Sequence, residues 1–284
     1  MTEPQTEIEY ATPKVSPGTS SAMKEAVTEG HRLIDGIAAK GEDVTLNELL
    51  GKIYEWENKF GDRVQGNEIE ALQATSYMLG TVDYFITHEG SDPKAARLQS
   101  ITTQRDFLRM VFSNLDKEGR PQEGTSKIFG LITYVFEKFF INKDLVADAR
   151  SGLEAGLWQG TMGMVTAGFL FKEAGWKVAF ADPKLDMYCD CDFLAENPQG
   201  QVYSVDVTAK GVEYDKDGGR KQPFRVSQEK VSHAVDRQYS QIAGNIRVNV
   251  PPIWHLEADA FYEDRRSGFP KPEIVEKFKK LVET

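Results

Sequence analysis

Residues 188–210 read YCDCDFLAENPQGQVYSVDVTAK, and this stretch decides the fold that we predict for the second half of the chain. Side chains that alternate across a strand predict one strand over Tyr188–Ala195 and another over Gln201–Ala209. The intervening Asn197–Gly200 contains proline and glycine, which are typical of tight turns. The stretch is therefore predicted to form a β-hairpin.

Two aspartates and a lysine are candidates for a site on this hairpin. Asp206 and Lys210 alternate with apolar residues on the second strand, and the hairpin is expected to bring Asp192 close to them. Adjacent carboxylates repel each other unless positive charge lies between them. Mg²⁺ or Mn²⁺ fits that position, because Mg²⁺ typically binds one or two carboxylates together with substrate phosphate.

The segments around the hairpin predict a mixed sheet. A long helix over Leu145–Ala174 and a strand over Trp176–Phe180 precede the hairpin. A helix over Ser227–Ala243 and a strand over Asn245–Val250 follow it. Three strands joined by short turns predict a meander, and the helix before the last strand permits a crossover to a parallel position.

This arrangement resembles the PD-(D/E)XK nuclease superfamily, in which an Asp near the end of one strand is followed by an acidic-x-Lys triplet in the next. Asp192 corresponds to the first acid and Asp206-Val207-Thr208 to the triplet. The preceding helix offers Glu154 and the following helix Gln238, where the family often has a Glu and a polar residue. The resemblance covers Ala147 to Pro252 and excludes the N-terminal half.

The resemblance implies a metal-dependent endonuclease that hydrolyses phosphodiester bonds, with DNA expected more than RNA. Asp192, Asp206 and Glu154 would hold Mg²⁺ or Mn²⁺. Lys210 would assist the attacking water, and Gln238 would complete the site.

One position departs from the family pattern, because Thr208 occupies the place of the lysine. Lys210 lies two residues further on the same strand face and would have to supply the ammonium group. Otherwise the domain is a degenerate nuclease fold that acts as a nucleic-acid or protein interaction module. The formal net charge of -10 also favours that alternative, because nucleic-acid binding depends on neutralising phosphates.

Some candidate site residues have a neighbouring residue that could take the same role, and others could simply be solvated surface residues. Asp190 is an alternative ligand to Asp192, and Gln159 competes with Glu154 for the inward position on the long helix. Asp206 lies between two valines within a strand, which favours a functional role over a solvated sheet face.

Cysteine usage and hydropathy indicate a protein of a reducing compartment. The chain has two cysteines, separated by one residue, and no disulfide framework. Its first residues lack the apolar run of a secretory signal, and no apolar run is long enough to span a bilayer. We therefore expect a cytoplasmic protein without a membrane partner.

The N-terminal half predicts a separate helical domain. Residues 1–19 are expected to form a disordered or loosely attached tail, residues 20–143 a helical domain and residues 144–284 the nuclease-like domain. Thr45 and Glu48 have the spacing of a capping box. The fold class expected is α+β or α/β, with the helical domain positioning or regulating the second domain or binding a protein partner. The predicted helices cover Ser21–Lys40, Thr45–Gly61, Asn67–Ile86, a segment that opens at Ser91-Asp92-Pro93 and ends before Gly119, and Ser126–Ile141.

Overall fold

The computed structural model has an N-terminal helical part followed by a C-terminal mixed sheet, so the α+β class is confirmed. It describes residues 9–10, 19–40, 44–88, 90–116, 119–141, 153–209, 224–229, 242–254, 258–265 and 268–282. The chain divides into two compact units, one formed by 13–158 and the other by 1–12 together with 159–284.

The helices of the N-terminal half follow the predicted pattern closely. The capping box of the second helix is present, because Thr45 and Glu48 exchange side-chain to backbone hydrogen bonds. Pro93 opens the fourth helix, where its missing N–H costs no helical hydrogen bond. The bounds are α1 Ser21–Ala38, α2 Leu46–Gly61, α3 Asn67–His88, α4 Pro93–Ser113 and α5 Glu123–Phe136, which continues as a π-helical segment, Glu137–Ile141.

An aromatic cluster fills the core of the helical unit. Trp158 lies in helix α6, Leu153–Glu173, and is fully buried. Its ring packs against Phe107, Phe129 and Phe136. Its indole N–H donates to the Thr133 hydroxyl over 3.0 Å. This hydrogen bond satisfies the one polar atom of the indole, which burial would otherwise leave without a partner.

The sheet has six strands in the order β1-β2-β3-β4-β6-β5. Strands β2, β3 and β4 form the predicted antiparallel meander, and β6 pairs in parallel with β4, which is the position that a crossover before it permits. The edge strand β5 is antiparallel to β6. The bounds are β1 Glu9–Tyr10, β2 Lys177–Phe180, β3 Phe193–Glu196, β4 Val202–Ala209, β5 Arg225–Glu229 and β6 Ile242–Val250.

The predicted strand over Tyr188–Ala195 is wrong in its first part. Helix α7, Pro183–Cys189, covers the beginning of that range, and β3 starts only at Phe193. Pro183 favours a helix start because its φ is fixed near the helical value. The alternation of small and acidic residues in this range therefore belongs to a helix end and a connection, and only its last residues form a strand.

The predicted helix over Ser227–Ala243 is wrong at both ends. Ser227 lies in β5, and Ile242 and Ala243 already belong to β6. Val226 pairs with Val248, so hydrogen bonding to a central strand determines the conformation of this segment rather than intrinsic propensity. Residues 230–241, the middle of the predicted helix, lie outside the described residues.

Helix α6 packs on the apolar face of the sheet. A Cβ atom added at Gly163 would meet the Cβ of Ala209 at 3.3 Å and a methyl group of Val250 at 3.5 Å. The helix backbone thus approaches β4 and β6 closely at this glycine, which leaves the opposite face of both strands for polar residues.

One expectation about the N-terminal tail is modified by the structure. Glu9–Tyr10 pairs with β2, so these two residues of the expected tail form an ordered strand. The division between the two compact units lies after Trp158, and the predicted domain boundary near residue 143 stays a prediction. The C-terminal part holds a short helix, Ala258–Phe261, a two-stranded sheet and a final helix, Pro272–Val282.

Across the ranges given above, no helix has the length and apolar character needed to cross a membrane.

Candidate acidic site between β3 and β4

Asp192 lies directly before β3 and against the backbone of β4. Its N–H donates to the Val205 carbonyl over 2.8 Å. Its carboxylate Oδ2 accepts from the Val207 N–H over 2.6 Å. These contacts flank Asp206 on both sides, and the pairing of Phe193 with Val205 makes Asp192 and Asp206 the next opposed positions. The structure therefore brings the two predicted aspartates together.

Negative charge is concentrated around Asp192. Burial raises the pKa of Asp192 well above its usual range, and the Asp186 carboxylate is the next largest cause. The hydrogen bond from the Val207 N–H opposes this shift, while Asp206 and Asp190 raise the pKa further. This environment makes ionisation of Asp192 less favourable than it is in water.

Helix α7 and the residue that follows it supply two further acids close to Asp192. Asp186 is buried on this helix, and its carbonyl accepts from the Asp190 N–H over 3.1 Å. Asp190 has φ of 50°, a left-handed conformation that Asp tolerates better than most residues. Asp190, the alternative ligand, is exposed and contributes to the field around Asp192, whereas Asp186 was not predicted. The four-residue spacing of these two acids was the available signal.

Asp206 forms an ion pair with Arg247 of the neighbouring strand. The register of the parallel ladder places Arg247 beside Asp206, and Arg247 Nε lies 2.5 Å from Asp206 Oδ2. The Asp206 side chain is 16% exposed and that of Arg247 is 46% exposed. Solvent therefore screens the pair, whose contribution to stability is at most about 1 kcal/mol.

The same face of β4 and β6 carries a row of polar side chains. The Ser204 hydroxyl donates to Asn245 Oδ1 over 3.0 Å, and Thr208 pairs in register with Asn249. Arg247 lies between the two asparagines in the alternation of β6. Sequence reasoning missed these residues of β6, although a polar residue at every second position of a buried strand could have indicated them.

Some of the remaining predicted site residues lie outside the residues that the structure describes. Lys210 and Gln238 are not among the described residues, and Glu154 lies in the first turn of α6 but its side chain is not described. Gln159, the alternative to Glu154, donates from Nε2 to the Ala209 carbonyl over 2.5 Å. This helix therefore does reach the end of β4, through Gln159.

The donor atoms at the site suit a hard cation. Asp192 and Asp206 offer carboxylate oxygens, and Mg²⁺ typically uses one or two carboxylates with waters and phosphate. Within the described part of the chain, no group of three or more His, Cys, Asp or Glu side chains could hold a metal ion. Cys191 is buried, and burial raises the pKa of its thiol, so it is unsuited to act as a thiolate ligand.

Two carboxylates with an adjacent guanidinium can bind a divalent cation and a phosphate group at one place. The carboxylates attract the cation, and an arginine binds phosphate oxygens through its planar array of donors. A scan of protein-family models, a search of curated proteins and a search of solved structures found no match to this chain.

Proposed function

We propose that the C-terminal unit is a metal-dependent nuclease that hydrolyses phosphodiester bonds in DNA or RNA. The observation that carries this proposal is the position of Asp192 against β4 on either side of Asp206, with Asp186 and Asp190 close enough to raise the pKa of its carboxyl group further. Such clusters of perturbed acids are more frequent at functional sites than elsewhere.

The topology of the sheet supports the same proposal. A helix precedes the antiparallel meander β2-β3-β4, and a parallel strand, β6, follows it in the sheet order. The helix, the meander and the parallel strand are among the elements for which the sequence resembles the PD-(D/E)XK superfamily, whereas most of the helix predicted before the last strand lies outside the described residues. The first acid lies next to β3 and the second within β4, as in the family pattern.

Asp192 and Asp206 are the residues that would hold Mg²⁺ or Mn²⁺, with Glu154 as a further candidate. When bound, such an ion would polarise the phosphate and lower the pKa of a bound water. Four acidic residues, Asp186, Asp190, Asp192 and Asp206, lie close enough to influence one another, and a divalent cation would reduce their mutual repulsion. The Val207 N–H orients the Asp192 carboxylate towards β4.

Arg247 is our candidate for the positive group that the family pattern places at Thr208. It lies one strand away on the same sheet face, and its ion pair with Asp206 keeps its guanidinium beside one of the proposed metal-binding carboxylates. Lys210 remains the alternative from the sequence. Replacing Arg247 by Lys tests this role, because lysine keeps the charge but loses the planar donor array.

A cleavage assay on a panel of DNA and RNA substrates tests the proposed activity. We expect wild-type cleavage that requires Mg²⁺ or Mn²⁺ and that falls at least about 100-fold in Asp206→Asn, as for loss of a group that stabilises transition-state charge. Asp259→Asn is the matched control, because the Asp259 side chain is 80% exposed and far along the chain from the site. Equal activity of wild type and Asp206→Asn would disprove the assignment of the site.

Metal binding can be measured without any nucleic acid. We expect Mg²⁺ or Mn²⁺ to raise the melting temperature of the wild type, because a ligand that binds the folded state stabilises it. The shift should be lost in Asp192→Asn and kept in Asp259→Asn. A shift of equal size in all three proteins would show that the ion binds elsewhere.

The alternative is an interaction module without catalysis. The specific observation in its favour is the ion pair between Asp206 and Arg247, which satisfies the second acid with a protein group instead of an ion. This alternative predicts no cleavage of any substrate on the panel, and no change in melting temperature on addition of Mg²⁺ or Mn²⁺.

A further inference from the structure

The helical unit contains a half-open cavity of about 760 Å³ between α2, α3 and α4. Its volume lies within the range of pockets that bind small molecules. The walls combine aromatic and apolar side chains with several charged groups. The residues that matter for its chemistry are Tyr54, Glu57, Ile69, Tyr77, Asp106 and Arg109.

Glu57 is a buried acid in the wall of this cavity. The residue is 5% exposed, and its Oε1 accepts from the Ser76 N–H over 2.9 Å. No basic side chain in the described ranges forms an ion pair with it. A carboxylate removed from water without a cation is costly, so the group either takes up a proton or pairs with a bound group that supplies positive charge.

The other charged groups of the wall do not neutralise Glu57. Asp106 accepts from the Tyr77 hydroxyl over 3.0 Å, and Arg109 lies 3.9 Å from the Asp106 carboxylate. In the described ranges, Arg109 thus forms an ion pair with Asp106 and none with Glu57. Glu70 adds a further acid to the wall, so that three acidic residues face one basic residue.

Apolar side chains are exposed at the cavity. Tyr54 is 47% exposed, Ile69 36% and Tyr77 38%. Five large hydrophobic residues are exposed in the part of the chain that the structure describes, and these three all line this cavity. Such a concentration of exposed apolar surface is a mark of a binding site, whereas singly scattered residues are not.

We propose that this cavity binds a small organic amine, whose ammonium group pairs with Glu57 and whose apolar stem lies along Tyr54, Ile69 and Tyr77. The buried carboxylate supplies a charge-assisted hydrogen bond, and the tyrosine rings attract a cation through their faces. The proposal is independent of the nuclease proposal, because all residues that carry it belong to the helical unit.

Titration of the full chain with n-hexylammonium chloride, followed by calorimetry or NMR, tests the proposal. We expect saturable binding of hexylammonium and at least about tenfold weaker binding of n-hexanol, which has the same stem without the charge. Glu57→Gln should weaken hexylammonium binding by at least about tenfold, because the amide oxygen keeps the bond to Ser76 but carries no charge. Glu55→Gln is the matched control on the same helix, with a side chain 69% exposed.

Three results would overturn the proposal. They are equal affinity for hexylammonium and hexanol, undiminished binding by Glu57→Gln, or loss of binding in Glu55→Gln as well. A lysine side chain carries the same chemistry from another source, so an acetylated, amidated lysine peptide is titrated in parallel. Binding of the peptide without binding of hexylammonium would assign the cavity to a protein partner and reject the small amine.

Discussion

Three acids of this molecule, Glu57, Asp192 and Asp206, differ in how their charge is balanced. Asp206 has an ion pair with Arg247. Asp192 has a hydrogen bond from a backbone N–H but lies among other acids. Glu57 has Ser76 as its hydrogen-bond partner in a buried position. The cost of keeping each acid ionised follows from these surroundings, and it can be measured.

Replacement of Glu57 by Gln is expected to change how stability depends on pH. Burial raises the pKa of Glu57 from 4.5 to about 7. The folded state therefore binds more protons than the unfolded state between pH 4.5 and 7, and the stability of the wild type falls as the pH rises through this window. Glu57→Gln lacks this loss, which amounts to about 3 kcal/mol. Urea unfolding at pH 5 and pH 8 measures the difference, and parallel pH profiles of the two proteins would contradict it.

Asp192→Asn is expected to stabilise the protein at neutral pH in the presence of EDTA while it removes nuclease activity. Asparagine keeps an oxygen to accept from the Val207 N–H but avoids burying a charge among acids. We expect a gain of about 0.5–2 kcal/mol in the free energy of unfolding, the usual range when a destabilised functional site is relieved. Loss of stability in urea titrations would show that the ionised carboxylate is needed structurally.

Sequence reasoning reached some of these residues and missed others for physical reasons. Asp206 stands out because it interrupts valines in a strand, and the hairpin turn brings Asp192 to it. Arg247 does not stand out, because a single arginine in a strand usually faces solvent and only the ladder register reveals its partner. Glu57 left a signal, since it lies four residues after Ile53 on the buried face of α2.

At the level of secondary-structure elements, the packing of helix α6 on the sheet requires glycine at position 163 but not at position 156. A side chain at Gly163 meets β4 and β6, whereas a Cβ atom at Gly156 meets nothing within 4 Å. We expect Gly163→Val to cost about 1–3 kcal/mol through overpacking. Gly156→Ala is the control on the same helix and should stabilise by about 0.4–1 kcal/mol. Equal effects of the two substitutions in urea unfolding would argue against close packing of α6 on the sheet.

The elements that the sequence predicted well are those with strong local signals. The capping box at Thr45 and the proline at Pro93 locate helix starts without reference to the rest of the fold. The errors occur where partners decide the conformation. Strand β5 exists because it pairs with β6, and neither Val226 nor its neighbours carry that information locally.

At the scale of the whole molecule, the net charge of -10 opposes the approach of nucleic acid. A nuclease with this charge should need divalent ions for binding as well as for cleavage. We expect the best substrate of the cleavage panel to bind at least about tenfold more tightly in Ca²⁺, which also takes oxygen ligands, than in EDTA. Fluorescence anisotropy at constant ionic strength measures this difference. Equal affinity in both buffers would favour the interaction module.

The position of Trp158 has a practical consequence for anyone who divides this chain into fragments. Its indole completes the aromatic core of the helical unit, although it lies beyond the boundary that the composition of the sequence suggests. A recombinant helical fragment that stops at residue 143 would lack the Trp158 side chain and would have a cavity of that size in its aromatic core. A fragment that extends through Trp158 would keep the indole that fills this cavity. We expect such a fragment to be more soluble and to be expressed in higher yield.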